Sequence, residues 1–164
     1  LTYEDLLEQK GIGPVKAIQL KAVAELSRRI ARTNRGYQLQ MNNPKTIADY
    51  FMEDMRHHRV EVFKGAFFDA KCNFIGSETV AKGSLSFAYV SPAELFRKAL
   101  LKNAVMIVIL HNHPSGDPTP SREDLELTQQ IARGAQLLGI TLADHIVIGD
   151  NRYYSFRENH RLET

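Results

Sequence analysis

Cysteine is nearly absent from the sequence, since Cys72 is the only thiol among 164 residues. One thiol excludes a disulfide within the chain and a zinc site built from several cysteines, and it is typical of a reducing compartment. No signal-peptide pattern opens the chain. Its longest apolar run, residues 104–110, is far shorter than the roughly 20 residues that span a bilayer. We therefore expect a cytoplasmic protein with no membrane partner.

A strong excess of one charge is also missing, since 21 Lys and Arg residues accompany 19 Asp and Glu residues, for a formal net charge of +2. Proteins that bind nucleic acid through overall charge are much more basic, so any DNA contact must arise from a local feature. The length of 164 residues and the 43% hydrophobic content suit one globular domain with a short appendage. Because the first residues lack an initiator methionine and already have a helical pattern, we expect a fragment of a longer protein.

The appendage has the pattern of two helices joined by a tight turn. A short helix ends at Leu6 and Leu7, the turn contains Gly11 and Gly13, and Pro14 takes the first position of a longer helix. The sequence therefore predicts a helical hairpin.

The chain is predicted to contain two units, because residues 33–43 lack helical periodicity and have the polar composition of a linker. Residues 1–35 form the helical hairpin and the start of the linker, and residues 42–164 form the main domain. In the main domain, helix caps, apolar alternation and turn residues predict a helix followed by the order β-β-α-β-α-β-β. The segments that carry this pattern are helix starts at Asn43, Ser91 and Ser121, two strands in 60–82, a buried strand in 104–110 and a hairpin in 145–156. The predicted fold is α/β, with a mixed β-sheet sandwiched by helices and preceded by a small helical hairpin.

Two histidines, His111 and His113, follow the predicted buried strand. In an extended chain, side chains at positions i and i+2 point to the same face, so both imidazoles can reach one ion at about 2.0–2.1 Å. A loop rich in Gly and Pro follows, and Asp124 arrives in the first turn of the next helix as an oxygen ligand. Three protein ligands leave a fourth tetrahedral position for water, which is typical of a catalytic zinc site.

A second acidic residue, Asp117, competes with Asp124 for the third ligand position. The spacing His-x-His-x3-acid occurs in cupin-type sites, which require a hairpin after the histidines. Pro118 and Pro120 break any such strand, so the pattern favours Asp124. Ser121 and Asp124 also form a capping-box pattern at the start of a helix, and this role is compatible with metal binding.

Residues 111–124 contain His-x-His-Pro followed by Ser-x-x-Asp, which resembles the JAMM (MPN+) metalloprotease motif. Residues 111–121 are similar to the bacterial RadC family in particular, with the sequence His-Asn-His-Pro-Ser-Gly-Asp-Pro-Thr-Pro-Ser. Residues 144–149 match a further RadC-like stretch. The resemblance extends from about Leu6 to near the C-terminus. It implies a JAMM/MPN fold, related to that of cytidine deaminases, for residues 42–164.

The resemblance also implies roles at the site. One zinc ion per chain would be held by the two histidines and the aspartate, and an upstream glutamate would act as general base. The best-aligned glutamate is Glu78 on the second predicted strand, although the residues alone leave Glu61 and Glu94 open. Ser121 would donate a hydrogen bond to the developing oxyanion, or act only as a helix cap. From the residues alone, His145 fits either a partner that orients a metal ligand or an ordinary core histidine.

The turn of the N-terminal hairpin resembles a helix-hairpin-helix element, which RadC-like proteins carry before the JAMM domain. Gly11 and Gly13 would let the backbone approach a DNA phosphate at the start of the next helix, and Lys10 and Lys16 would add charge attraction. Such contacts position a protein without reading bases. An ordinary packed hairpin fits the same residues.

Two functions follow as hypotheses. The first is a zinc metallohydrolase with a role in DNA repair, which cleaves an amide or isopeptide bond of an unknown protein or peptide substrate with a metal-activated water. The second is a non-catalytic DNA-binding repair accessory with a structural or vestigial metal site. A metal-dependent nuclease would favour further carboxylates for a second ion, and only Asp117 or Glu123 could supply them.

Overall fold

The computed structural model describes residues 2–33, 43–83 and 90–162. The chain divides into two compact units, Leu1–Tyr37 and Gln38–Thr164. The predicted linker falls almost wholly on residues 34–42, which lie outside the described residues. Within the three described ranges, no helix combines the length and the apolar character needed to cross a membrane.

The first unit contains the predicted helical hairpin. Helix α1 covers Tyr3–Leu7 and helix α2 covers Pro14–Thr33. Thr2 caps α1 in a reciprocal arrangement with Asp5, which satisfies two amide groups that the helix itself leaves without a partner. The turn between the helices contains Gly11 at a φ of +88°, a backbone conformation that favours glycine.

The second unit is the predicted α/β domain. Its elements are α3 (Pro44–Met55), β1 (Val62–Phe68), β2 (Phe74–Lys82), α4 (Pro92–Leu101), β3 (Met106–Asn112), α5 (Arg122–Leu137), β4 (Thr141–Ile148) and β5 (Tyr153–Ser155). The sheet order is β2-β1-β3-β4-β5. Strands β3 and β4 are parallel and the other neighbouring pairs are antiparallel, so the predicted mixed sheet is confirmed.

Local signals start the helices where the sequence predicts them. Asn43 caps α3 and Ser91 caps α4, each followed by a proline in the first turn. The strand predicted for residues 104–110 lies two residues later, because β3 continues through His111 and Asn112 while it pairs with both β1 and β4. His111, the first of the two histidines predicted as ligands, is therefore part of the sheet.

The sheet has a buried apolar layer on each face. Ile109 of β3 packs with α4 and α5, whereas Val108 packs with α3. Burial of each such side chain is worth about 1.5–3 kcal/mol. Because side chains alternate along a strand, His111 lies on the face covered by α4 and α5, and Asn112 lies on the opposite face.

Candidate metal centre

The end of β3 and the start of α5 bring His111, His113 and Asp124 together. The two Nε2 atoms of the histidines lie 3.0 Å apart. Asp124 Oδ1 lies 3.1 Å from His111 Nε2, and Asp124 Oδ2 lies 3.4 Å from His113 Nε2. Ligands at 2.0–2.1 Å from a tetrahedral ion are about 3.3 Å from one another. The three predicted ligands therefore fit one metal ion of this size.

Asp124 is also the third residue of α5 and completes a capping box. Its Oδ2 accepts hydrogen bonds from Ser121 N at 2.7 Å and from Ser121 Oγ at 2.8 Å, while Ser121 Oγ accepts one from Asp124 N. The helix cap thus fixes the carboxylate beside the histidines. The hydroxyl hydrogen of Ser121 points at Asp124, so the predicted oxyanion role would require that hydroxyl to turn.

The rival ligand, Asp117, has a different role. Its carboxylate accepts hydrogen bonds from Thr119 N and Thr119 Oγ1 at 3.1 and 2.9 Å. Its backbone carbonyl lies 2.7 Å from His113 Nδ1. A carbonyl only accepts, so His113 carries its proton on Nδ1 and presents the Nε2 lone pair to the site. Asp117 thus orients His113 through its backbone, and its carboxylate is not part of the candidate group among the described residues.

The charges at the site favour an ionised carboxylate. Burial by itself would raise the pKa of Asp124, but the adjacent imidazoles of His111 and His113 hold that pKa well below its usual range. The pKa of His113 is raised, chiefly by the adjacent carboxylate of Asp124. An anionic oxygen and two imidazole nitrogens form a donor set that suits zinc.

His145 lies directly behind His111. Its side chain is fully buried and stacks on Phe156, with ring centroids 4.6 Å apart. His145 Nε2 lies 2.8 Å from His111 Nδ1, and His145 Nδ1 lies 2.6 Å from Thr128 Oγ1. Burial holds the pKa of His145 well below its usual range, so this ring is neutral. His145 is both a core histidine and the direct partner of His111.

The residue before His145 is a buried carboxylate that ties β4 to the C-terminal turn. Asp144 Oδ1 accepts hydrogen bonds from His145 N at 2.7 Å and Arg157 N at 3.0 Å, and Oδ2 accepts one from Ser155 Oγ at 2.6 Å. Burial raises the pKa of Asp144 to about 6, against the effect of these hydrogen bonds.

This raised pKa predicts a pH dependence of folding stability. The folded state binds a proton that the unfolded chain releases at a lower pH, so the stability due to Asp144 is complete below its unfolded pKa and is lost as pH rises towards 6. Relative to Asp144→Asn, the free energy of unfolding of the wild type should fall by about 3 kcal/mol between about pH 4 and pH 6.5. Urea unfolding of the metal-free proteins measures this difference, with the exposed Asp49→Asn as control. Parallel pH profiles for wild type and Asp144→Asn would contradict the prediction.

Glu78 does not lie with the three candidate ligands. It is on β2 as predicted, opposite Gly65 of β1. Its carboxylate pairs with Lys102 Nζ at 3.0 Å and Lys98 Nζ at 3.1 Å, both on α4. Hydrogen bonds from these two lysines hold the pKa of Glu78 below its usual range, which makes it a poorer base. The structure therefore does not support Glu78 as the general base, and we correct that assignment.

A different glutamate, Glu61, reaches the candidate centre. The open cleft over the centre is lined by Glu61, His113, Pro114, Ser115, Ser121, Glu123 and Asp124. The antiparallel pairing of β1 and β3 ends where Phe63 lies opposite His111, and Glu61 precedes Phe63 by two residues just as His113 follows His111 by two. The sequence left Glu61 open as an alternative, and only this strand register singles it out.

Asn112, the residue between the two histidines, holds the segment that carries Glu61. Its Oδ1 accepts a hydrogen bond from Val62 N at 2.8 Å, and its Nδ2 donates to Val60 O at 3.2 Å. The side chain is fully buried. These two bonds bracket Glu61 in the chain, so one strand fixes both the histidines and the glutamate.

The four residues predicted to contact DNA lie in the first unit, around the turn between α1 and α2. Lys10 and Lys16 are exposed, and Lys16 Nζ donates to the carbonyl of Gly11 at 3.3 Å. A side chain at Gly13 would meet no heavy atom within 4 Å, so the backbone there is open to a ligand. The DNA contact stays a prediction.

Comparison with known proteins agrees with this architecture. The family model described as RadC-like JAB domain matches residues 41–162. A UPF0758 protein of Desulfitobacterium hafniense (strain DSM 10664 / DCB-2) is 42% identical over 158 residues, which cover 96% of this chain and 70% of the relative. UPF0758 proteins of Geobacillus sp. (strain WCH70) and Caldanaerobacter subterraneus are each 41% identical over 157 residues, covering 96% of this chain and 70% and 67% of the relatives. With an α/β domain whose strand end and helix start carry the His-x-His and Asp of a JAMM-type site, the chain belongs to the RadC-like JAB domain family.

Proposed function

We propose that this chain is a zinc metallohydrolase that cleaves amide or isopeptide bonds. The observation that carries the proposal is the spacing of His111, His113 and Asp124, whose ligand atoms lie 3.0–3.4 Å apart at an open cleft. A closed structural zinc site would use a fourth protein ligand in place of the open side. Membership of the RadC-like JAB domain family supports the amide class of substrate.

Each residue of the cleft has a separate role in the proposed reaction. Zinc held by the two histidines and Asp124 would lower the pKa of a bound water towards about 7 and polarise the substrate carbonyl. Glu61 accepts a proton from the attacking water and delivers it to the leaving amine, which is the general acid-base role. The hydroxyl of Ser121, turned away from Asp124, donates a hydrogen bond to the carbonyl oxygen as negative charge develops there.

Glu61 also favours this function over the non-catalytic repair accessory. A metal that only holds the fold together requires no carboxylate beside an open coordination position. Glu61 lines the same cleft as His113 and Asp124, and Asn112 fixes the chain on both sides of it. A role in DNA repair and a DNA contact through the N-terminal hairpin remain proposals that rest on the resemblance.

The proposed hydrolase activity is tested by measuring the cleavage of peptides and isopeptides. The chain loaded with one equivalent of zinc is incubated with peptides from a bacterial proteome digest and with a set of lysine ε-linked isopeptides, and new amino groups are identified by mass spectrometry. We expect cleavage that requires zinc and disappears in His113→Ala. A zinc-loaded wild type that produces no more cleavage than His113→Ala would overturn the hydrolase and favour the accessory.

A further inference from the structure

A chain of three hydrogen bonds begins at His111 and ends on the backbone of Asp124. His111 Nδ1 lies 2.8 Å from His145 Nε2, and His145 Nδ1 lies 2.6 Å from Thr128 Oγ1. Thr128 Oγ1 then donates to the carbonyl oxygen of Asp124 at 2.5 Å. Every side chain in this series is almost completely buried. No water needs to be invoked to close it.

The direction of the chain follows from its last bond. A carbonyl oxygen only accepts, so the single hydroxyl hydrogen of Thr128 is used on Asp124, and Thr128 Oγ1 can only accept from His145 Nδ1. The ring of His145 is fully buried between an imidazole, a hydroxyl and the ring of Phe156, which favours its neutral form. A neutral imidazole with its proton on Nδ1 has a lone pair on Nε2. His145 Nε2 therefore accepts from His111 Nδ1, and His111 keeps a lone pair on its own Nε2.

We propose that Thr128 and His145 are positioning residues that hold His111 in the tautomer protonated at Nδ1, so that its Nε2 lone pair faces the candidate metal position. This positioning role rests on the proposed zinc site. The tautomer of His111, however, can be measured in the protein without metal. Partners that orient a histidine ligand are worth about 10–100-fold in metal affinity.

The tautomers of the two histidine ligands are fixed by different kinds of partner. His113 donates to the backbone carbonyl of Asp117, a group that can only accept. His111 faces another imidazole, which could either donate or accept. Thr128 removes this ambiguity. Thr128 donates to the backbone carbonyl of Asp124, four residues earlier in α5. Asp124 therefore both supplies the third ligand and accepts the last hydrogen bond of the chain.

Nitrogen-15 NMR of the metal-free protein tests the proposal directly. At about pH 8.5, two units above the ordinary imidazole pKa, long-range proton–nitrogen correlations show which ring nitrogen carries the proton. We expect wild-type His111 to be protonated at Nδ1, and Thr128→Val to shift it towards the mixture of tautomers found in an unconstrained histidine. Thr128→Ser should restore the wild-type pattern, and Thr141→Val, at an exposed position of β4, should leave it unchanged.

Zinc titration against a competing chelator provides the second measurement, with an expected loss of about 10–100-fold in affinity for Thr128→Val and recovery in Thr128→Ser. Wild-type His111 protonated at Nε2 would overturn the proposal, even if Thr128→Val failed to fold. An unchanged His111 tautomer in a folded Thr128→Val would also overturn it. A wild type that shows the expected tautomer but binds no zinc would instead overturn the proposed function.

Discussion

Asp124→Ala is expected to leave the purified protein without stoichiometric metal, whereas wild type should contain about one zinc per chain. Asp124 supplies the only anionic atom among the three described candidate ligands, and its oxygens lie 3.1 and 3.4 Å from the histidine nitrogens. Changes to residues behind a ligand cost about 10–100-fold in affinity, so loss of the ligand itself should cost more than about 100-fold. Elemental analysis and zinc titration against a chelator measure both effects.

The matched control for this variant is Asp117→Ala. The carboxylate of Asp117 bonds only Thr119 among the hydrogen bonds described for it, and the carbonyl that orients His113 belongs to the backbone, so alanine retains it. Asp117→Ala should therefore keep its zinc. Asp124→Asn separates metal binding from the capping box, because the amide oxygen of asparagine can still accept from Ser121 but carries no negative charge. Full zinc retention by Asp124→Ala, or zinc loss confined to Asp117→Ala, would overturn the ligand assignment.

Glu61→Gln should lower the rate of peptide or isopeptide cleavage by about 10²–10⁴-fold and leave the zinc content unchanged. General acid-base catalysis by one side chain contributes an effect of this size, and glutamine keeps the shape of the side chain but cannot take up a proton. Glu61 lines the cleft beside His113 and Asp124, but it is not one of the three candidate ligands. Cleavage rates on a peptide found in the library experiment, together with zinc analysis, measure the two properties separately.

Glu78→Gln is the control variant. It also tests Glu78, which the family resemblance favoured, against Glu61, which the structure favours. Glu78 pairs with Lys98 and Lys102 at a partly exposed position, and exposed ion pairs of this kind are worth about 0–1 kcal/mol. We expect near-wild-type cleavage and a small loss of stability. Activity lost in Glu78→Gln and kept in Glu61→Gln would reinstate Glu78, the glutamate that the family resemblance favoured.

The sequence predicted well the features that depend on neighbours in the chain. Asn43, Ser91 and Ser121 each cap the helix that their patterns predicted, because a cap is a bond between residues two or three positions apart. His111 and His113 share a face for a similar local reason, since side chains at i and i+2 in an extended segment point the same way. Proline in the following loop favoured Asp124 over Asp117 as the third ligand, and Asp124 is the acidic residue that joins the two histidines in the candidate group of the described residues.

The choice of glutamate depended on a contact that no local pattern contains. Glu61 reaches the site because Phe63 pairs with His111, 48 positions along the chain, and this register is set by how β1 and β3 bury their apolar faces. Glu78 lies in the next strand, opposite Gly65, where α4 supplies lysines that pair with it. The family resemblance aligned an acidic residue of the right type but could not test its surroundings.

The sequence by itself determined which residues form the candidate centre, a His-x-His pair and an aspartate at a helix start, since strand alternation and helix capping are local geometry. Only the tertiary structure decided what surrounds them. The parallel pairing of β3 with β4 sets Ile109 opposite His145, and packing of α5 brings Thr128 to the other side of that ring. Side chains 17 and 34 residues apart meet there, because burial of the two apolar faces of the sheet fixes the order and register of its strands.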